Sequence, residues 1–119
     1  MEKAYICSPL AGNEKQNINN AIAYAKFVYN RCNMIPLMSH FYALILDDSD
    51  AIQRKTGISI SIGQILNSHH LWVFGNTISD GMGEEIRNAM ALDIPIHYID
   101  DYQCQEILKV YGGNYIDQT

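Results

Sequence analysis

Two glycines and three acidic residues stand together in the segment SDGMGEEIRNAM, residues 79–90. The glycines favour a turn, and the spacing of the apolar residues after them is typical of a helix. A helix N-terminus presents free backbone N–H groups and the positive end of the helix dipole, so it stabilises acidic side chains and bound anions. The last of these acids, Glu85, therefore has two interpretations, one chemical and one structural.

Glu85 lies within the apolar stripe of this predicted helix. Met82, Ile86, Ala89 and Met90 recur at the spacing of one helical face, and Glu85 follows Met82 by three residues. A carboxylate on a core-facing stripe loses water but stays close to the helix dipole, and such a group can act as a nucleophile or as a general acid or base. In the structural interpretation, Glu85 only satisfies N–H groups of the first turn. The position alone leaves both interpretations open.

The composition indicates one globular domain, residues 1–119. Hydrophobic residues make up 48% of the chain and charged residues 18%, and no apolar run reaches the roughly 20 residues of a membrane span. A net charge of −5 argues against nucleic acid as a partner. The N-terminus lacks a secretory pattern, so we expect a cytoplasmic protein with no membrane attachment. The three unclustered cysteines predict buried thiols, and neither a metal nor a cofactor is expected.

Strand and helix patterns alternate along the chain. A strand is predicted at residues 3–8, a helix at 13–32, and a second strand within MIPLMSH, where Pro36 favours an edge. The segment GISISIGQIL fits both periods, and we predict a helix because the next segment, HLWVFG, has the pattern of a buried parallel strand that needs a crossover. A helix at 80–92, a strand in IPIHYI and a helix at 101–111 follow. The alternation predicts an α/β fold with a Rossmann-like or flavodoxin-like open parallel sheet of four or five strands and helices on both faces.

Ligands of such sheets bind beyond the carboxyl ends of the strands. Three segments are predicted to lie there: CSPLAGN, MSHFYALILDDSD and GNTISDGMGEE. The first and third contain glycine and precede helices, so their backbone N–H groups are available to an anion. The candidate ligand-binding residues of the first two segments are Ser8, Pro9, Leu10, Gly12 and His40, although His40 fits the role of a packing histidine equally well.

Three motifs resemble the nucleoside 2-deoxyribosyltransferase superfamily. YICSPLAG, LWVFG and ISDGMGEEIRNAMALDIPI occur in the superfamily's order over residues 3–99, and the chain is more closely similar to a branch of small phage and bacterial proteins of the DUF4406 and DUF7768 type. In characterised members, a segment of the form S-x-G-x-G-x-E contains the catalytic glutamate. Ser79, Gly81, Gly83 and Glu85 fit that form, and Tyr5 matches a tyrosine that assists the glutamate.

The resemblance implies an N-glycosidase or a 2-deoxyribosyltransferase. The Glu85 carboxylate would attack C1′ of a nucleoside or nucleotide and expel the base, and the resulting glycosyl ester would react with water or a second base. Asp80 is the nearest acid that could protonate the leaving base, with Asp47 and Asp48 as alternatives. The favoured role of Asp80 is nevertheless the N-cap of the helix.

The resemblance also assigns groups to the ligand. Ser79 and the N–H groups of the turn that contains Gly81 and Gly83 suit a 5′-phosphate, and Ser8 would assist from the first loop. Met82 has the spacing of a core residue and is also placed to touch a base.

Departures from the superfamily's pattern favour a second hypothesis, a non-catalytic protein that binds and sequesters a nucleotide-derived signal. Ala11 stands where members that hydrolyse nucleoside monophosphates have an arginine. His69 replaces an aspartate before the central strand, and Ser59 and Gly63 replace acids of the preceding helix. Under both hypotheses the partner is a small nucleoside or nucleotide. The resemblance further implies a homo-oligomer with a shared pocket, for which IPIHYI and YGGNYI offer apolar surface.

Overall fold

Four short parallel strands form one sheet, and four α-helices cover it in the computed structural model, which describes residues 1–117. The elements in chain order are β1 (Lys3–Cys7), α1 (Glu14–Cys32), β2 (Ile35–Leu37), a 3₁₀ helix (His40–Leu44), α2 (Ala51–Leu66), β3 (His70–Phe74), α3 (Asp80–Ala91), β4 (Ile96–Ile99) and α4 (Asp101–Tyr111). The predicted α/β fold with an open parallel sheet is confirmed.

The strand order β2-β1-β3-β4 places β1 and β3 at the centre of the sheet. The chain leaves β1 toward one edge, forms β2, and returns through α2 to the other side of β1. The loops after β1 and β3 therefore diverge from a common point at the carboxyl ends of these strands, and this divergence is where open α/β sheets form their ligand crevice. The second strand, with Pro36, lies at an edge as predicted.

Alternate residues of each strand point to opposite faces, so each helix pair packs on its own set of strand residues. On one face, α1 and α4 enclose a core in which the rings of Tyr24 and Phe74 stack with centroids 4.4 Å apart. On the other face, α2 and α3 cover Tyr5, Cys7 and the odd-numbered residues of β3. This alternation brings Tyr5 of β1 to the same face as α3.

Two details of the sequence interpretation differ from the structure. GISISIGQIL is helical as predicted, but α2 begins earlier, at Ala51, because Asp50 accepts a hydrogen bond from the backbone N–H of Gln53 as its N-cap. Met90, which was predicted to lie on the buried stripe of α3, is 62% exposed. Successive helical residues lie about 100° apart around the axis, so Met90 falls beside the stripe of Met82 and Ala89, and the prediction for Met90 was wrong.

The 3₁₀ helix and α2 form an apolar arm, residues 40–66, that is only loosely buried. The buried side chain of α2 is Ile65. Large apolar side chains of the arm are exposed, namely Phe41, Leu44, Ile45, Ile52, Ile58, Ile62 and Leu66. Within residues 1–117, no helix is both long enough and apolar enough to cross a membrane.

Candidate active site

Glu85 lies in the second turn of α3, on the stripe that packs against the sheet. Met82 and Ala89, three residues before it and four after it, are buried against β1 and β3. Because a helical face repeats at this spacing, the Glu85 side chain is directed along the sheet toward the carboxyl end of β1 and not into solvent. The predicted inward direction of Glu85 is therefore observed.

Tyr5 contacts Glu85 from the side of the sheet. The ring of Tyr5 is buried in the central strand, and its hydroxyl donates a hydrogen bond to Oε2 of Glu85. Residues 5 and 85 are separated by most of the chain, but the register of β1 with β3 and the packing of α3 on the same face bring them together.

Two serines complete the network. The Ser61 hydroxyl of α2 donates to Glu85 Oε2 at 2.7 Å. The Ser39 hydroxyl, in the loop after β2, lies 2.8 Å from the Tyr5 hydroxyl. A carboxylate only accepts hydrogen bonds, so the hydroxyl protons of Tyr5 and Ser61 are both donated to Glu85. The Tyr5 oxygen is then the acceptor in its contact with Ser39, whose hydroxyl is the donor. The network holds the carboxylate in one orientation.

Burial and hydrogen bonding act in opposite directions on Glu85. Desolvation raises the pKa of Glu85, and the hydrogen bonds from Tyr5, Ser61 and Cys7 oppose that rise because they stabilise the carboxylate. Burial, and then the negative charge of Glu85, raise the pKa of Tyr5 well above its ordinary value. Tyr5 is therefore a proton donor to Glu85 throughout the physiological range.

Glu85 lines a cavity of about 890 Å³ at the carboxyl ends of β1 and β2. The first loop, the loop after β2, the acidic loop before α2 and the helices α2 and α3 all contribute to its walls. Of the residues predicted as ligand-binding or catalytic, four line this cavity: Leu10, Gly12, Gly81 and Glu85. Asp47 and Asp48, the alternative acids, also line it. A volume of this order suits a ligand the size of a nucleoside.

Asp80 has a different role from the one predicted, because Ser79 takes the N-cap position. Ser79 is the N-cap of α3, and its hydroxyl accepts a hydrogen bond from the N–H of Met82 at 3.3 Å. Asp80 is the first helical residue and is exposed, so the predicted N-cap role of Asp80 was wrong. Serine takes that position because its short side chain reaches back to the third N–H of the helix. Asp80 lies outside the lining of the large cavity.

The first-loop residues divide between two cavities. Ser8 and Pro9 line a separate cavity of about 240 Å³ between α1, α4 and the end of β3. The Ser8 hydroxyl lies 3.0 Å from Nε2 of His40, and both side chains are buried. His40 thus joins the first loop to the 3₁₀ helix, and burial lowers the pKa of His40. This placement matches the packing alternative for His40.

The remaining predicted residues border the site without lining the large cavity. Met82 is buried in the core, and its carbonyl oxygen lies 3.8 Å from the thiol sulfur of Cys7. Gly83 lies beneath the side chain of Arg87. Within residues 1–117, no group of three or more His, Cys, Asp or Glu side chains is arranged to hold a metal ion. Cys7 and Cys104 are buried free thiols, whereas Cys32 is only partly buried.

The sequence interpretation missed Ser39, Ser61 and Cys7 as members of the site. Ser39 lies in a segment that was predicted to follow a strand at the correct end of the sheet, so its position was a usable signal. Ser61 had no such signal, because only the packing of α2 against α3 shows which face of α2 meets Glu85.

Comparison with known proteins gives a family without an assigned activity. The family model described as "Domain of unknown function (DUF7768)" matches residues 2–99, which include both central strands, α2 and α3. No curated protein matches the chain.

The raised pKa of Glu85 predicts a pH-dependent cost to folding. Protonated Glu85 contributes stability that is fully present below the ordinary glutamate pKa and is lost as the pH rises through the raised pKa of the folded state. Replacement Glu85→Gln removes this ionisation. We therefore expect the melting temperature of Glu85→Gln to exceed that of the native protein by a few degrees at pH 8, and the difference to shrink toward pH 4. A pH-independent difference in melting temperature would contradict this account.

Proposed function

This chain belongs to the DUF7768 family, a domain of unknown function, and we propose that it is an N-glycosidase or a 2-deoxyribosyltransferase with Glu85 as nucleophile. The observation on which the proposal rests is the Glu85 carboxylate, which Tyr5 and Ser61 orient at the wall of a cavity of about 890 Å³. The similarity of residues 79–85 to the S-x-G-x-G-x-E segment of the nucleoside 2-deoxyribosyltransferase superfamily supports the same reaction.

The arrangement suits a nucleophile better than a structural acid. A structural glutamate at a helix start bonds to backbone N–H groups or pairs with a nearby cation, as Glu84 does with Arg87 at 2.6 Å. Glu85 instead receives side-chain donors from β1 and α2. These donors fix the carboxylate and favour its ionised form despite burial, which is what attack on an anomeric carbon requires.

In the proposed reaction, a Glu85 oxygen bonds to C1′ as the bond from C1′ to the base nitrogen breaks. Positive charge develops in the sugar ring at this stage, and the adjacent carboxylate stabilises it. The glycosyl ester is then resolved by water in a hydrolase or by a second base in a transferase. Tyr5 and Ser61 touch Glu85 and act as positioning residues, since their protons hold the carboxylate in place.

We further propose that a second copy of the chain is the protein partner. The apolar arm borders the cavity, and Ile58 and Ile62 of α2 belong both to the cavity wall and to the exposed apolar surface. Exposed apolar residues in this number on a small domain are typical of an interaction surface. IPIHYI contributes one further exposed ring, Tyr98.

Base release from nucleosides should depend on Glu85. We expect Glu85→Gln to lower the rate by at least about 10³-fold, because the amide cannot form the glycosyl ester. Release of free base from a panel of nucleosides and mononucleotides, followed by chromatography, measures this. Glu106→Gln, the same change on an exposed acid of α4, is the matched control and should retain activity. Native activity in Glu85→Gln would refute the proposed nucleophile, and thermal stabilisation by a ligand without base release would favour the non-catalytic binding protein.

Loss of the Ser61 hydroxyl should shift the pH profile. The hydrogen bond from Ser61 lowers the pKa of Glu85, so Ser61→Ala should raise that pKa further. We expect the acid limb of the profile of kcat/KM against pH to move to higher pH, with activity about tenfold lower on that limb and recovered at alkaline pH. Ser59→Ala, on the exposed side of α2, provides the control. An acid limb that stays in place in Ser61→Ala would exclude this role of the hydroxyl.

Sedimentation should show self-association through the apolar arm. Ile52 is 76% exposed and Val110 of α4 is 69% exposed, so Ile52→Glu and Val110→Glu introduce the same charge at two similarly exposed sites. We expect the native protein and Val110→Glu to sediment as oligomers and Ile52→Glu to dissociate to monomers at low micromolar concentration. A native protein that is monomeric at high concentration would rule out the second copy as partner.

A further inference from the structure

We infer that the substrate of this site is a nucleoside with a positively charged base and no 5′-phosphate, that is, an N-glycoside of a quaternised heterocycle. The inference rests on the proposed function and adds the charge of the substrate. Three observations support it: the cavity lining is acidic, the hydroxyls predicted to hold a phosphate lie outside that lining, and a neutral leaving base would need a proton donor.

The lining of the cavity is acidic. Five carboxylates line it, from Glu14, Asp47, Asp48, Glu84 and Glu85, against one cationic side chain, Arg54. Glu84 pairs with Arg87 and is discounted. The remaining four carboxylates still outnumber Arg54, and the net charge of the whole chain is −5. A concave site lined by one sign of charge concentrates ligands of the opposite sign, so a cationic nucleoside is attracted and a phosphate dianion is repelled.

The two hydroxyls predicted to hold a 5′-phosphate, those of Ser8 and Ser79, lie outside the lining of this cavity. Ser79 caps α3 through the N–H of Met82, and the Ser8 hydroxyl contacts His40 in the core. Ala11, at the first-loop position of the predicted missing arginine, lines the cavity without a charge. Arg54 therefore stands alone among the lining residues as a cationic phosphate ligand.

Asp47 is suited to stabilise a cation and unsuited to donate a proton. Its Oδ1 accepts hydrogen bonds from the Ser49 backbone N–H at 3.0 Å and from the Ser49 hydroxyl at 2.6 Å. These bonds lower the pKa of Asp47, so it stays a carboxylate at neutral pH. A neutral base needs a proton on its leaving nitrogen, whereas a quaternised base does not.

The balanced reaction has two steps. A Glu85 oxygen forms a bond to C1′, the bond from C1′ to the cationic nitrogen breaks, and its electron pair neutralises the base, which leaves without a proton. Water then attacks the glycosyl ester, which gives the free sugar, regenerates the Glu85 carboxylate and releases one proton to solvent. Neither a metal nor a redox partner enters this balance.

Matched substrates test the inference. The two pairs are 7-methylguanosine with guanosine, and the riboside of nicotinamide with its 5′-phosphate. Cationic nucleosides are also more labile without catalyst, so each rate is divided by the rate with Glu85→Gln. We expect this ratio to be at least tenfold higher for 7-methylguanosine than for guanosine, and at least tenfold higher for the riboside than for its phosphate. Raised salt concentration should reduce the difference between the riboside and its phosphate, because salt screens the repulsion of the phosphate.

Charge variants separate electrostatic attraction from leaving-group chemistry. Asp47→Asn with Asp48→Asn should lower kcat/KM for the cationic nucleosides about tenfold, with a smaller effect on guanosine. Asp48→Asn alone should show part of this loss and avoids the Ser49 contacts. Asp93→Asn, after the far end of α3, has the same change of charge and is the control; asparagine also tolerates the positive φ of 55° there.

The outcomes distinguish this inference from the proposed function. Equal or faster Glu85-dependent cleavage of guanosine or of the phosphorylated riboside would overturn the inferred charge and leave Glu85 as nucleophile. Equal losses of kcat/KM for the cationic nucleosides in the Asp93 and Asp48 variants would also overturn the inferred charge. Base release from none of these nucleosides would overturn both.

Discussion

The site depends on a single compromise, the placement of the Glu85 carboxylate against the apolar face of the sheet. Burial disfavours its charge, and the hydroxyls of Tyr5 and Ser61 offset part of that cost with hydrogen bonds to the ionised form. Loss of a donor would raise the pKa of this carboxyl group further, and a fully hydrated carboxylate would lack fixed partners to orient it. The structure places Glu85 between these limits, which is the condition for an acid that is both oriented and reactive.

The parallel sheet produces this compromise through simple geometry. Side chains alternate between faces, so the odd-numbered residues of β1 share one face with α3, and the strand order leaves the carboxyl ends of β1 and β3 at the point where the loops diverge. Tyr5 thus lies beneath the cavity, and Glu85 lies at its wall. The apolar arm then closes one side and brings Ser61 to the carboxylate.

The sequence predicted those parts of the site that follow from local periodicity. The stripe of α3 placed Glu85 inward, and the alternation of strands and helices predicted the parallel sheet. It could not predict the network, because Tyr5 meets Ser39, Ser61 and Glu85 across 34, 56 and 80 positions of the chain. Local preference also misassigned the N-cap, since Ser79 and Asp80 are both favoured there and only the backbone conformation decides between them.

The shallow burial of α2 has a consequence for dynamics. A helix of 16 residues is marginal by itself in water, and α2 is attached to the domain mainly through Ile65 and its packing on α3. Its local unfolding therefore costs less free energy than unfolding of the central strands, and amide hydrogens of α2 should exchange with solvent before those of β1. Each such opening removes the Ser61 hydrogen bond from Glu85. The orientation and the pKa of the carboxylate therefore depend on the stability of a neighbouring helix.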